Sequence, residues 1–144
     1  MSNMHNDRQV LGVRMVDATG APIAATPGGG TPVVGGSGVV ANASAVATLA
    51  AAAAKTTYIS GLLIAGGGAT VAALVDVTIA GLLGGTKTFV HGAVAGATLK
   101  NADVAMYFDP PLPAADVNTA IVVTCPALGA GNAKNSVTAW GFRL

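Results

Sequence analysis

Apolar residues recur at every second position over much of this chain. The clearest run is Val71, Ala73, Val75, Val77 and Ile79, with Thr70, Asp76 and Thr78 among the positions between them. Successive side chains of a strand point to opposite faces, so a period of two over this length predicts a half-buried β-strand. Just ahead, residues 58–64 (YISGLLI) are rich in β-branched and aromatic types, a strand-like composition. Gly66-Gly67-Gly68 separates the two runs, and neither a helix nor a strand interior holds such a triplet without cost. Two strands joined through a triple glycine predict a hairpin or a corner between two sheets.

The rest of the chain is organised around residues 57–83. Residues 1–8 are polar and read as an arm. Residues 9–16 alternate, with Leu11, Val13 and Met15 on one face and Val10, Gly12 and Arg14 on the other; Asp17-Ala18-Thr19-Gly20 is a turn sequence. Residues 21–25 read as a second extended piece. The Gly- and Pro-rich residues 26–38 (TPGGGTPVVGGSG) have the composition of a linker or long arm, and carry no charge that would hold them in water. Residues 44–49 alternate as a strand. Residues 50–54 are all Ala, the best helix former, but five residues are too few for a stable helix. A loop or one helical turn into Lys55 is expected there.

Beyond Gly84-Gly85, residues 86–91 predict a short strand and residues 93–101 a loop. Residues 103–109 place Val104, Met106 and Phe108 inward and Asp103, Ala105, Tyr107 and Asp109 outward; Pro110-Pro111-Leu112-Pro113 lacks ladder donors and is expected to end that strand. Residues 117–125 turn Ile121, Val123 and Cys125 to one face. Residues 136–144 place Trp140, Phe142 and Leu144 together. About seven to nine strands at sandwich spacing, with no convincing amphipathic helix, predict an all-β fold. The architecture expected is an antiparallel β-sandwich of jelly-roll or related Greek-key wiring over residues 39–144, preceded by an N-terminal arm over residues 1–38.

Composition changes the picture chiefly through what is scarce. Only 9% of the 144 residues are charged and 4% aromatic, and all six acids are Asp. Soluble domains carry roughly 25% charge, so a surface this bare suits a protein covered by copies of itself or by a partner. The net charge is +1, and Arg8, Arg14, Lys55, Lys87, Lys100, Lys134 and Arg143 are scattered. Nucleic-acid binding therefore lacks its electrostatic footprint. Residues 56–75 are uncharged and long enough to span a bilayer, but the glycine triplet and the alternation argue for strands, so no membrane partner is expected. Residues 1–9 lack the apolar core of a secretion signal. The single cysteine, Cys125, ends an apolar strand and reads as a packing residue.

Catalytic patterns fail on inspection. GLLGGTKT at residues 81–88 has Thr86 where a phosphate loop needs Gly before the lysine, and no helix follows to aim its amides. Residues 66–71 miss the dinucleotide fingerprint at its last position. His5 and His91 have no adjacent acid in a triad pattern, and Ser60 and Ser136 lack a nucleophile-elbow context. Asp103, Asp109 and Asp116 match no cation-loop spacing, and no carboxylate pair across a cleft is indicated. No catalytic, cofactor-binding or metal-binding residue is assigned, and no enzyme is expected.

Several motifs resemble small structural proteins of tailed bacteriophages: Ile64-Ala65-Gly66-Gly67-Gly68-Ala69-Thr70, residues 110–114 (PPLPA), Asn118-Thr119-Ala120-Ile121, and residues 126–132 (PALGAGN) running into a final aromatic strand. The resemblance covers residues 58–144 and is greatest to capsid cement (decoration) proteins. It implies a jelly roll on the outer surface of the virion, made in the host bacterial cytoplasm, that bridges subunits of the major capsid protein and self-associates, as a homodimer before a homotrimer. A tail- or fibre-associated module is the alternative. Candidate contact residues are Arg8 and Arg14 for charge matching, Thr26, Pro27, Thr31, Pro32, Val33 and Val34 in the uncharged arm, and Trp140 and Phe142 in the last strand.

Overall fold

The computed structural model describes residues 29–144; the arm at 1–8, the strand at 9–16 and the extended piece at 21–25 lie outside the described residues. Eight strands follow: β1 (Thr31–Gly36), β2 (Ala45–Leu49), β3 (Thr57–Gly67), β4 (Ala73–Ala80), β5 (Lys87–Ala93), β6 (Val104–Pro113), β7 (Ile121–Cys125) and β8 (Lys134–Arg143). They form two four-stranded antiparallel sheets, ordered β1-β8-β3-β6 and β2-β7-β4-β5. Every connection crosses between the sheets except β4 to β5, which pair directly. That order is the wiring of a jelly roll. Among the described residues no helix is long and apolar enough to cross a membrane.

The alternation read from the sequence becomes the inner layer. Ile59, Leu62 and Ile64 of β3 and Val137 and Ala139 of β8 face Leu49, Val77, Ile79, Ile121 and Val123 of the other sheet, all of them buried. Each buried Ile or Leu contributes about 1.5–3 kcal/mol relative to exposure. Polar groups close the ends. Asn135 is fully buried, and its Nδ2 lies 3.2, 3.3 and 3.0 Å from the carbonyl oxygens of Ala43, Cys125 and Pro126. That amide ties β8 to the end of β7 and to the approach to β2. Leu144 exchanges backbone hydrogen bonds with Thr56, which fastens the last residue beside the start of β3.

The glycine triplet makes a corner between sheets, since β3 and β4 belong to different ones. Only Gly68 turns the chain, with φ at +81°, while Gly66 and Gly67 continue β3. A Cβ on Gly66 would come within 2.5 Å of both Leu128 Cδ1 and the Lys134 carbonyl oxygen, so close packing sets that residue type as much as turning does. Val71 precedes β4 and is 58% exposed, so the alternation of the strand begins only at Ala73 and its buried positions at Val77.

Two expectations are corrected. Residues 26–38 are not simply a linker: Thr31–Gly36 is strand β1, paired in register with β8 from Thr31↔Arg143 to Gly36↔Thr138. Its Pro and Gly are tolerated because β1 is an edge strand. The sandwich therefore begins ahead of residue 39. The prolines after Asp109 do not end β6, which runs on to Pro113. β6 is also an edge strand, and its pairing with β3 skips from Ile59↔Leu112 to Gly61↔Tyr107, leaving residues 108–111 out of the ladder. Of the two alternatives expected for the alanine run, the loop is the one found: Ala54 has φ at +56° and the chain turns into Lys55 without a helix.

Adjacent positions on β3 test the layer assignment. Leu62→Ala should lower unfolding stability by about 2–5 kcal/mol in a denaturant titration. Leu63→Ala, one residue along and 38% exposed on the other face, should cost under about 1 kcal/mol.

Candidate interaction face

The residues turned away from the core on the β1-β8-β3-β6 sheet stand in three rows across the strands. Pro32, Phe142, Tyr58 and Pro113 form the first; Val34, Trp140, Gly61 and Tyr107 the second; Gly36, Thr138, Leu63 and Ala105 the third. Not one of the twelve positions is charged, and only Thr138 and the tyrosine hydroxyls are polar. With strands about 4.8 Å apart and same-face residues about 6.8 Å apart, the rows span on the order of 300 Å². That matches the largest apolar patch usual on a soluble monomer, and such patches are commonly functional.

Four of the chain's six aromatic rings (three Phe, two Tyr, one Trp in all) gather here. Tyr58 and Phe142 stack with centroids 5.0 Å apart and planes 8° from parallel. Tyr107 meets Trp140 edge to face at 5.6 Å and 60°. The indole lies over Gly61, where a Cβ would come 2.5 Å from Cζ2 and 2.7 Å from Cε2. Gly61 therefore provides the floor for Trp140. Phe142 is buried under its neighbours, with Gly30 among them, whereas Tyr107 is 76% and Val34 69% exposed. The patch has a packed base and two projecting contacts.

Of the sequence-selected contact residues, Arg8, Arg14, Thr26 and Pro27 lie outside the described residues. Pro32, Val34, Trp140 and Phe142 come together on this face. Val33 does not: it points into the core and is 7% exposed, because β1 alternates. Thr31 is exposed at the start of β1, in the row of Arg143 and Thr57. Sequence reasoning passed over Tyr58 and Leu63 as face residues. Tyr107 already reads as outward from the alternation, but its place beside Trp140 depends on how β6, β3 and β8 are aligned.

Beyond the third row, Ala65 and Ser136 line an open groove of about 410 Å³, floored by Gly66 and Gly67 and walled by Val39 and Leu99. Lys100 and Lys134 also line it. Asp103 is paired with Lys100 at 2.7 Å, and the Asp116 carboxylate accepts the Val117 N–H. Among the described residues no three His, Cys, Asp or Glu side chains gather as a metal site requires. Burial pushes the Cys125 thiol up to about 11, which keeps it protonated near neutrality.

His91 is buried with no partner for Nε2, and burial lowers its pKa from 6.5. The unfolded chain therefore takes up a proton at a higher pH than the folded one. The stability due to the neutral ring is fully present above 6.5 and is lost as the pH falls from there towards the folded value. The unfolding temperature of the wild type should fall as the pH drops below about 6.5, and His91→Gln should flatten part of that slope.

Trp140 is the sole tryptophan, so its fluorescence reports on the face directly. Gly61→Ala should displace the indole, shift its emission to the red and destabilise the fold by about 1–3 kcal/mol. Unchanged emission would show that Gly61 does not hold the ring. In comparisons with protein-family models, curated proteins and solved structures, the chain matches none.

Proposed function

We propose that this chain is a virion structural protein, a capsid cement protein that binds the outer shell of a tailed phage and bridges major capsid protein subunits. The single observation that carries the reading is the uncharged outer face of the β1-β8-β3-β6 sheet, with Tyr107 and Val34 raised above a packed aromatic base. A protein built to act by contact needs apolar area that stays rigid before binding, because ordering side chains at the interface costs affinity. The stacked Tyr58 and Phe142 and the Trp140 ring on Gly61 provide such a surface.

Function on this reading is additive and non-catalytic. Covering about 300 Å² of apolar surface yields on the order of 8 kcal/mol before the costs of association are subtracted. The remainder per copy is small, but bridging neighbouring subunits makes the second contact intramolecular, and symmetry repeats it over the shell. The partners on this reading are the major capsid protein and other copies of the chain, with neither nucleic acid nor membrane engaged.

The tail- or fibre-associated module is favoured by one observation, the 76% exposure of Tyr107 beside Trp140, since an exposed aromatic pair also suits a sugar ring. Copy number separates the two. Gels of purified particles should show a 13.9 kDa band rivalling that of the major capsid protein. A few copies per particle would move the assignment to the tail. Val34→Asp combined with Tyr107→Asp should leave the fold intact and weaken retention on capsids by at least about tenfold.

A further inference from the structure

The two sheets present four edge strands: β1, β6, β2 and β5. An open edge is a template for pairing, and proteins guard it with prolines, bulges or cover. Three of the four edges are guarded. β6 carries Pro110, Pro111 and Pro113 and a broken register. β1 carries Pro32, and β1 and β2 cover one another, so closely that a Cβ on Gly35 would collide with the Thr48 backbone. β5 has no proline, bulge or cover, and its single charge, Lys87, stands at the end of the strand. Its seven residues pair with β4 in unbroken register from Ala73↔Ala93 to Ile79↔Lys87, without proline or bulge. No hydrogen bond among the described residues reaches its other side.

We infer that β5 is a homodimer edge, at which two copies pair antiparallel about a two-fold axis through Val90 and join their β2-β7-β4-β5 sheets into one eight-stranded sheet. An antiparallel strand pair is self-complementary, so a second copy satisfies this edge with no change of sequence. The pairing sets Val90 against its own counterpart, Thr88 against Gly92, Phe89 against His91 and Lys87 against Ala93. Charge permits it. The two Lys87 side chains fall at opposite ends of the seam, about 20 Å apart. Asp76, cross-strand from Val90, stands about 14 Å from its counterpart, beyond the roughly 8 Å screening length at physiological salt. Val90 is 63% exposed in the monomer, and the seam covers it with a cross-strand valine pair. The inference stands on the edge alone and holds whether or not the protein decorates a capsid.

The full chain tests it. Light scattering at tens of micromolar should give a dimer. Val90→Lys should raise the dissociation constant at least about tenfold by opposing two like charges across the axis, with the far-UV circular dichroism and tryptophan emission of the monomer unchanged. Val90→Cys should form a disulfide-linked dimer under mild oxidation, since directly opposed residues fall within bridging distance. Thr88→Cys, opposite Gly92, should not, and Cys125 is buried in both variants. A monomeric wild type would overturn the inference, as when residues 1–28 of the same chain occupy this edge. A dimer indifferent to Val90→Lys would do so too, as would equal cross-linking of the two cysteine variants.

Discussion

The structure depends on how closely two sheets with small side chains can approach. The inner layer is built of Ile, Val, Leu and Ala with few large rings, so apolar burial is obtained by bringing backbones near one another. Glycine appears where packing is tightest: Gly35 against Thr48 of the opposite sheet, Gly66 against Leu128 and the Lys134 carbonyl, and Gly61 beneath Trp140 on the outer face. Each position excludes a Cβ because a neighbouring atom already occupies its place. The same constraint explains the wiring, in which nearly every connection crosses to the opposite sheet and draws both layers together.

A core of small residues leaves the aromatic rings to be used elsewhere. Four of six stand on the outer face of one sheet, where they would be a liability on an isolated protein and an asset on an assembled one. The scarcity of charge follows the same logic. Long charged side chains lose rotamer freedom and hydration when an interface forms over them, so a chain that works through contact gains by carrying few. Composition, the outer face and the unguarded β5 edge thus agree in direction, although each rests on a different property of the chain.

The buried polar groups mark the chemistry the fold has put away. The Cys125 thiol is held protonated by burial, and the His91 ring is kept neutral by the same cause. Asn135 turns its Nδ2 to three backbone carbonyls at the end of the core. These groups serve the packing of the sandwich.

Period-two alternation alone determined the class of fold and most strands, because a strand's two faces impose themselves on neighbouring residues. Val77 and Ile79, Ile121 to Cys125 and the outward Tyr107 were all legible this way. Whatever depended on a strand's position in its sheet was not. Pro32 and the prolines of β6 are permitted only because those strands lie at edges, where a missing N–H breaks no ladder, and nothing local marks an edge. Val33 and Val34 look alike in sequence, yet pairing with β8 sends one to the core and the other to solvent. The aromatic face likewise exists only after Tyr58, Tyr107, Trp140 and Phe142, drawn from three strands, are set side by side. Alternation tells each residue which way to point; only the pairing of distant strands decides what it points beside.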